Sequence, residues 1–301
     1  MSGPNPRFAV PPWCRDRRGW PLAATGAALV ASGLGHLIVW AVLGGPWEGP
    51  VTWRKPILFG ISGGLTALSM GWVWSKLPAR RWDLPLAWCT AIALFVEVGI
   101  IDVQRWRGVA SHFNRATLLD SVLYDVLSAL ILFVTLVSAD LMVHSFRQPL
   151  PVAADMRLAI QAGLVLLVVS CVLGIWVSVH AELQLERGLE PTRFGAAGVP
   201  KFPHGAVIHA IQWLPILAWA ARHAGIDTVR RSRLVGVATL GTSLVLAYAM
   251  LQTLAGRGRF DASPQVAAIL AVGGACLAVP ALVTAAVWLT SRHRSPPPAA
   301  A

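Results

Sequence analysis

One acidic residue lies inside a long apolar run, in a chain that has few charged side chains. Glu97 interrupts AIALFVEVGII at 91–101, and the polar stretch DVQRWRGVASHFN follows at 102–114. A charged side chain at the centre of a bilayer costs about 2.5–3.5 kcal/mol on insertion scales. We therefore expect Glu97 to be protonated, to be paired, or to face a wet cavity.

Other polar side chains have spacings that suit a shared site with Glu97. Gln104 comes seven residues later, two helical turns on, and Arg107 can fold back toward the same face. His209 and Gln212 are three residues apart and precede Pro215, which frees a backbone carbonyl. These patterns predict an outward-facing polar cavity or proton relay among the third, fourth and sixth predicted helices. Its candidate residues are Glu97, Gln104, Arg107, His112, Asn114, Asp125, His209 and Gln212.

Each candidate also has a purely structural interpretation. Glu97 can fix helix packing through a buried hydrogen bond or ion pair. The arginines can extend to lipid phosphates at the interface. His112 and Asn114 can simply turn the loop.

The histidines raise the alternative of a metal or haem site. Imidazole is the commonest metal ligand, and haem in helical proteins is held by axial histidines. However, His204 and His209 are five residues apart, so they do not form the same-face pair of an HExxH motif. A CxxCH haem-attachment motif does not occur either. The candidates for a haem or divalent-metal ligand are His36, His112, His180, His204 and His209.

Two functions follow from these patterns. The first, which is not enzymatic, is transport or sensing of a small polar or anionic solute. The alternative is a haem- or metal-dependent redox or hydrolytic membrane enzyme. No HExxH motif or nucleophile elbow supports that chemistry.

The composition places these residues in a membrane protein. Hydrophobic residues make up 55% of the 301, and only 13% are charged, against about 25% charged in soluble domains. The mean hydropathy is +0.61. The net charge of +11 is interpreted as a topological signal rather than nucleic-acid binding, since no run mixes clustered lysine and arginine with aromatics on a soluble module. The expected partner is the lipid bilayer.

Apolar runs of about twenty residues predict an all-α bundle of about eight transmembrane helices. We expect one transmembrane domain at 21–290, between a polar cytoplasmic tail at 1–20 and a disordered cytoplasmic tail at 291–301. The predicted helices are 21–44, 56–77, 85–103, 119–146, 157–179, 205–222, 234–255 and 265–290. The end of the third stays open between Asp102 and Trp106.

Lysine and arginine set the expected orientation. With eight helices, both tails share one side, which carries fifteen of these residues against ten on the other. The positive-inside rule then places both termini in the cytoplasm. Gly60 and Gly64 form a GxxxG motif, which predicts close helix packing.

Three stretches carry a resemblance to a group of bacterial polytopic membrane proteins. They are WRKPILFG at 53–60, the run from Glu97 through RGVASHFN at 107–114, and PHGAVIHAIQWLP at 203–215. The resemblance implies a shared fold over about residues 50–225. It implies no activity, cofactor or catalytic residue.

Overall fold

The computed structural model describes residues 12–292, and this range is helical without a β-strand. A 3-10 turn at Pro12–Arg15 precedes the first helix. The α-helices are α1 Gly19–Leu43, α2 Arg54–Trp74, α3 Asp83–Trp106, α4 Leu118–Arg147, α5 Ala154–Glu186, α6 Lys201–Val207, α7 Ala210–His223, α8 Thr228–Leu254 and α9 Pro264–Arg292. The predicted all-α fold is confirmed.

Seven helices in the described range are long and apolar enough to cross a membrane, namely α1 to α5, α8 and α9. A continuous helix satisfies its own backbone hydrogen bonds, which is the condition for lying in hydrocarbon. The chain is therefore a multi-pass membrane protein with a helical bundle.

The sixth predicted span, 205–222, is a broken helix. α6 and α7 are interrupted at Ile208 and His209, and each alone is too short to span the bilayer. Both pack along α5: the Ser170 hydroxyl bonds His204 in α6, and Gly163 lies against Ile211 in α7. The two segments thus follow one another along α5, where a single span was predicted.

The third helix continues past Asp102 and ends at Trp106. Gly108 follows with φ +74°, a left-handed conformation that favours glycine. The Val109 amide donates to the Gln104 carbonyl and the Gly108 amide to that of Arg105, both at 3.1 Å. These are the two hydrogen bonds of a Schellman motif, so the polar residues 102–106 belong to the helix and not to the loop.

The last two helices begin close to the predicted positions or before them, and a side-chain cap sets the start of α8. α8 starts at Thr228, six residues before the predicted 234, because the Asp227 carboxylate accepts the Arg230 amide at 3.0 Å. That backbone hydrogen bond, with the Arg230 charge, holds the pKa of Asp227 below its ordinary value. α9 begins at Pro264, within one residue of the prediction.

The chain divides into two compact units, with the boundary between Leu150 and Pro151. The expectation of a single transmembrane domain stays a prediction. Residues 1–11 of the predicted N-terminal tail, and 293–301 of the C-terminal one, lie outside the described residues.

In the first unit, glycines let the backbones of α1 and α2 come into direct contact. A Cβ on Gly60 would lie 2.8 Å from the Gly33 backbone, and one on Gly64 would lie 2.7 Å from the Gly26 carbonyl oxygen. The GxxxG motif at Gly60 and Gly64 is therefore a helix-packing element, as predicted.

At the end of the first unit where α1 begins, an ion network joins helices that are distant in sequence. Arg80 Nε donates to Asp83 Oδ1 at 2.9 Å, and its terminal nitrogens bond both Asp140 oxygens at 3.0 and 2.5 Å. Arg18 donates to the Leu77 carbonyl at 2.9 Å and lies 3.6 Å from Asp83. The hydrogen bond to Asp140 raises the pKa of Arg80 above its ordinary value.

The second unit has its own apolar core and its own buried ion pair. Val207, Leu214, Leu217 and Val235 pack with neighbouring alanines of α5, α7 and α8. Arg231 Nε, in the first turn of α8, donates to an oxygen of Asp155 at the start of α5 at 2.7 Å, and both side chains are buried.

Candidate functional site

Gln104, Arg107 and Asp120 form a cluster where α3 ends and α4 begins. Gln104 Nε2 donates to Asp120 Oδ1 at 2.9 Å, and an Arg107 guanidinium nitrogen donates to the same oxygen at 2.9 Å. Arg107 also donates to the side-chain oxygen of Gln104. Two predicted site residues thus meet through a carboxylate that was not among the candidates.

The position of Asp120 follows from a helix cap. Thr117 caps α4 by accepting the Asp120 amide at 3.1 Å, and its hydroxyl donates to the Asp120 carboxylate at 2.7 Å. A threonine followed three residues later by an acid is a capping pattern. That spacing in ATLLD was the available signal for Asp120.

Glu97 lies on the face of α3 that carries Gln104, two turns before it. Its side chain is 7% exposed, and α3 is packed against α1, α2 and α4. Within residues 12–292, Glu97 makes no hydrogen bond or ion pair, whereas Asp83, Asp120 and Asp155 all have arginine partners. Glu97 is therefore a buried acid held without a compensating group.

A second polar chain links α1 to α3, and sequence analysis missed most of it. The Ser32 hydroxyl donates to Asp102 Oδ2 at 2.9 Å and lies 3.4 Å from His36 Nδ1. Trp106 Nε1 donates to His36 Nε2 at 3.0 Å. Because Nε2 accepts that bond, the neutral imidazole carries its proton on Nδ1, where the Ser32 carbonyl accepts it at 2.9 Å. The four-residue spacing of Ser32 and His36 was the signal for this contact.

The hydrogen-bonded series of Asp102, Ser32 and His36 differs from a hydrolytic triad. In a Ser-His-Asp triad the imidazole lies between the hydroxyl and the carboxylate and takes the hydroxyl proton. Here the Ser32 hydroxyl lies between Asp102 and His36 and donates to Asp102. The order does not match that of a nucleophilic triad, and Asp102 Oδ1 is buried without a hydrogen-bond partner among residues 12–292.

Thr52 and Arg105 line a small void at the same end of the first unit as these hydrogen-bonded side chains. The Arg105 guanidinium carbon lies 3.8 Å from the centroid of the Trp53 ring, a cation–π contact. Thr52 Oγ1 and Arg105 Nε are buried without partners, and both residues line a void together with Lys55 and Ser111. The void has no room for a water molecule.

His112 and Asn114 lie in the structured loop between α3 and α4. His112 Nδ1 is 2.9 Å from the Ser111 hydroxyl, and its ring lies 5.6 Å from Phe59 and 6.3 Å from Tyr124, between centroids. Asn114 donates to the Ala110 carbonyl at 3.0 Å and accepts the Ala116 amide at 3.1 Å. Asn114 therefore turns the loop, and His112 packs among aromatic rings.

Asp125 lies apart from the Gln104 cluster. Its side chain is 63% exposed and pairs with Arg115 at 3.0 Å on the surface of the first unit. Such an exposed pair contributes about 0–1 kcal/mol to stability.

His204, His209 and Gln212 belong to the second unit. The Ser170 hydroxyl donates to the His204 carbonyl at 2.9 Å, and His204 Nδ1 lies 2.8 Å from the Ser170 carbonyl. His209, at the break between α6 and α7, has Nδ1 3.3 Å from Gln212 Oε1. Gln212 Nε2 is buried without a partner. His209 and Gln212 thus pair, as their spacing predicted.

The remaining metal candidates, His36 and His180, each have at least one ring nitrogen engaged with a protein group. His180 Nε2 lies 2.8 Å from the Arg193 carbonyl and its ring stacks on Trp176. His36 accepts from Trp106. Across residues 12–292, no three His, Cys, Asp or Glu side chains are grouped to hold a metal ion. The metal or haem alternative therefore stays a prediction without a ligand cluster in this range.

Comparison with protein-family models, with curated proteins and with solved structures finds no match for this chain. The class that the fold defines is a multi-pass helical membrane protein. The resemblance to a bacterial group stays a prediction, and the functional argument depends on the chain's own residues.

Proposed function

We propose that this membrane protein transports or senses a small polar or anionic solute in a step linked to proton binding at Glu97. The observation that carries the proposal is a glutamate that, as a residue, is 7% exposed in a membrane-spanning helix, and whose side chain has no hydrogen-bonding or charged partner in the described range. Ionisable residues inside membrane segments are costly, and they mark ion pathways and proton relays.

A packing role for Glu97 has little support. A structural acid is stabilised by the hydrogen bonds and cations that it binds, as Asp83 and Asp155 are in this chain. Glu97 has neither, so an apolar residue of similar volume would fill the same space at lower cost. The property that distinguishes the Glu97 carboxyl group from such an apolar side chain is that it can exchange a proton.

Anion recognition is supported at the nearby end of the first unit. Lys55 and Arg105 supply positive charge there, and Thr52 Oγ1 and Arg105 Nε have unused hydrogen-bonding capacity. Guanidinium groups bind carboxylate and phosphate through paired hydrogen bonds. The void beside Thr52 and Arg105 is too small for water, so it would have to widen before a solute could bind there.

Proton flux into proteoliposomes tests the proposal. A potassium gradient with valinomycin imposes a voltage, and an internal pH dye reports proton entry. We expect Glu97→Gln to abolish the voltage-driven flux of the wild-type protein, because glutamine keeps the shape and cannot exchange a proton. Asp125→Asn is the matched control, since it removes an exposed carboxylate of the same unit. Equal flux in E97Q and wild type would contradict the role of Glu97.

We also propose a bacterial inner-membrane location with both termini in the cytoplasm, on the distribution of lysine and arginine. Cysteine labelling in a variant that lacks the four native cysteines tests this orientation. A cysteine at position 48, in the exposed α1–α2 loop, should react in intact cells with a membrane-impermeant reagent. Reaction only after permeabilisation would reverse the orientation.

A further inference from the structure

A cavity of about 400 Å³ lies in the second unit where α7 ends, α8 begins and α9 ends. Ile226 and Leu234 line one part of it, and Val283 and Val287 of α9 form an apolar wall. Arg230 and Arg233 also line it. The cavity thus combines an apolar wall with two guanidinium groups at the end of two membrane-spanning helices.

The three arginines of VRRSR, residues 229–233, fall into two environments. Arg231 is buried against Asp155. Arg230 and Arg233 are exposed and three residues apart, which places them on one face of α8. Arg233 makes no hydrogen bond, ion pair or ring contact within residues 12–292, so this guanidinium is available to a ligand.

Asp227 limits the charge of the cavity. Its carboxylate also lines the cavity and lies 3.3 Å from Arg230 Nε. With two arginines and one aspartate, the lining has a net charge of about +1 when all three are ionised. A ligand with one negative charge matches that balance.

We propose that this cavity binds an anionic phospholipid, with its phosphate at Arg230 and Arg233 and an acyl chain along Val283 and Val287. A phosphodiester carries one negative charge, and guanidinium groups suit phosphate geometry. A free anion would gain nothing from the apolar wall. Basic pockets between transmembrane helices bind lipid head groups in this way.

Native mass spectrometry in detergent tests the proposal with two added lipids, phosphatidylglycerol and phosphatidylcholine. We expect the wild-type protein to retain phosphatidylglycerol preferentially. Each basic residue near a membrane surface contributes about fivefold to binding of anionic lipid, so Arg230→Gln with Arg233→Gln should lower retention about twentyfold or more. Asp227→Asn should raise retention, since asparagine also caps a helix and removes the opposing charge.

A charge-matched control separates this cavity from general surface attraction. Arg157 and Arg222 are exposed, lie at the same end of the unit and do not line the cavity. The Arg157→Gln, Arg222→Gln double variant should retain phosphatidylglycerol as the wild type does. Equal losses in the two double variants, or equal retention of the two lipids by the wild type, would overturn the proposal. Displacement of the lipid by inorganic phosphate would assign the cavity to a free anion and also overturn it.

Discussion

Arg80 shows how single side chains fix the first unit. Its guanidinium bonds Asp83, which is fully buried, and both oxygens of Asp140. Removing it leaves Asp83 with the more distant Arg18 as its cation. A buried charge that loses a partner is destabilising, and the partial exposure of Arg80 reduces the effect.

We therefore expect Arg80→Ala to destabilise the protein by about 1–2 kcal/mol, measured by thermal unfolding in detergent. Arg81→Ala is the matched control. Arg81 is the next residue and is exposed, and within residues 12–292 its charge interacts with the Trp82 ring, at 4.6 Å, and with no acidic side chain. Its loss should cost about 0.5 kcal/mol. Equal losses for the two variants would show that the network adds nothing to stability.

The sequence predicted which polar residues lie in the membrane-spanning part of the protein. It did not predict most of the side chains that those residues contact. Glu97 was recognised because a charge in an apolar run is improbable, and it is indeed buried. Asp120 and Ser32 were missed as partners because each contact joins two helices whose register depends on packing. The candidates in the first unit are placed by α1, α3, α4 and the loop between α3 and α4, and those in the second unit by α5, α6 and α7.

At the scale of the helix, the α1–α2 contact depends on individual glycines. A Cβ on Gly33 would lie 2.8 Å from the Ile61 backbone nitrogen and 2.9 Å from the Ile57 carbonyl oxygen. Backbone atoms cannot move aside as a flexible side chain can, so the helices would have to separate. A Cβ on Gly35, two residues later on α1, would meet no atom of the described residues within 4 Å beyond its chain neighbours and the nearby backbone of α1.

We expect Gly33→Ala to destabilise the protein by about 1–3 kcal/mol through overpacking. Gly35→Ala should be neutral or stabilising by up to about 1 kcal/mol, because alanine favours helix over glycine. Thermal unfolding of both variants in one detergent makes the comparison. A loss of stability in G35A as large as that in G33A would refute the backbone-contact explanation.

Helix ends were less predictable than helix centres. Hydropathy located every long helix. It does not detect polar residues that continue a helix beyond its apolar run. α3 therefore ends at Trp106 and α5 at Glu186, not at 103 and 179. The break at Ile208 and His209 was missed because the run at 205–222 is apolar on both sides of it, and hydropathy does not report backbone geometry.

At the scale of the whole molecule, composition alone predicted a multi-pass helical membrane protein. A chain with 13% charged residues cannot cover a soluble surface, and helices satisfy their backbones in lipid. Function did not follow from composition, because it depends on how a few polar side chains meet. The central claim is accordingly narrow: Glu97 binds and releases a proton within the membrane.

Infrared spectroscopy of the protein in lipid, recorded across a pH titration, tests that claim most directly. A protonated carboxyl group has a carbonyl stretching band that disappears when the proton leaves and shifts in deuterated buffer. Each of the 14 Asp and Glu side chains gives such a band when it is protonated. We predict that one of the bands seen in the wild type and in Asp125→Asn is missing from Glu97→Gln. Spectra of E97Q that match the wild type at every pH would contradict the claim.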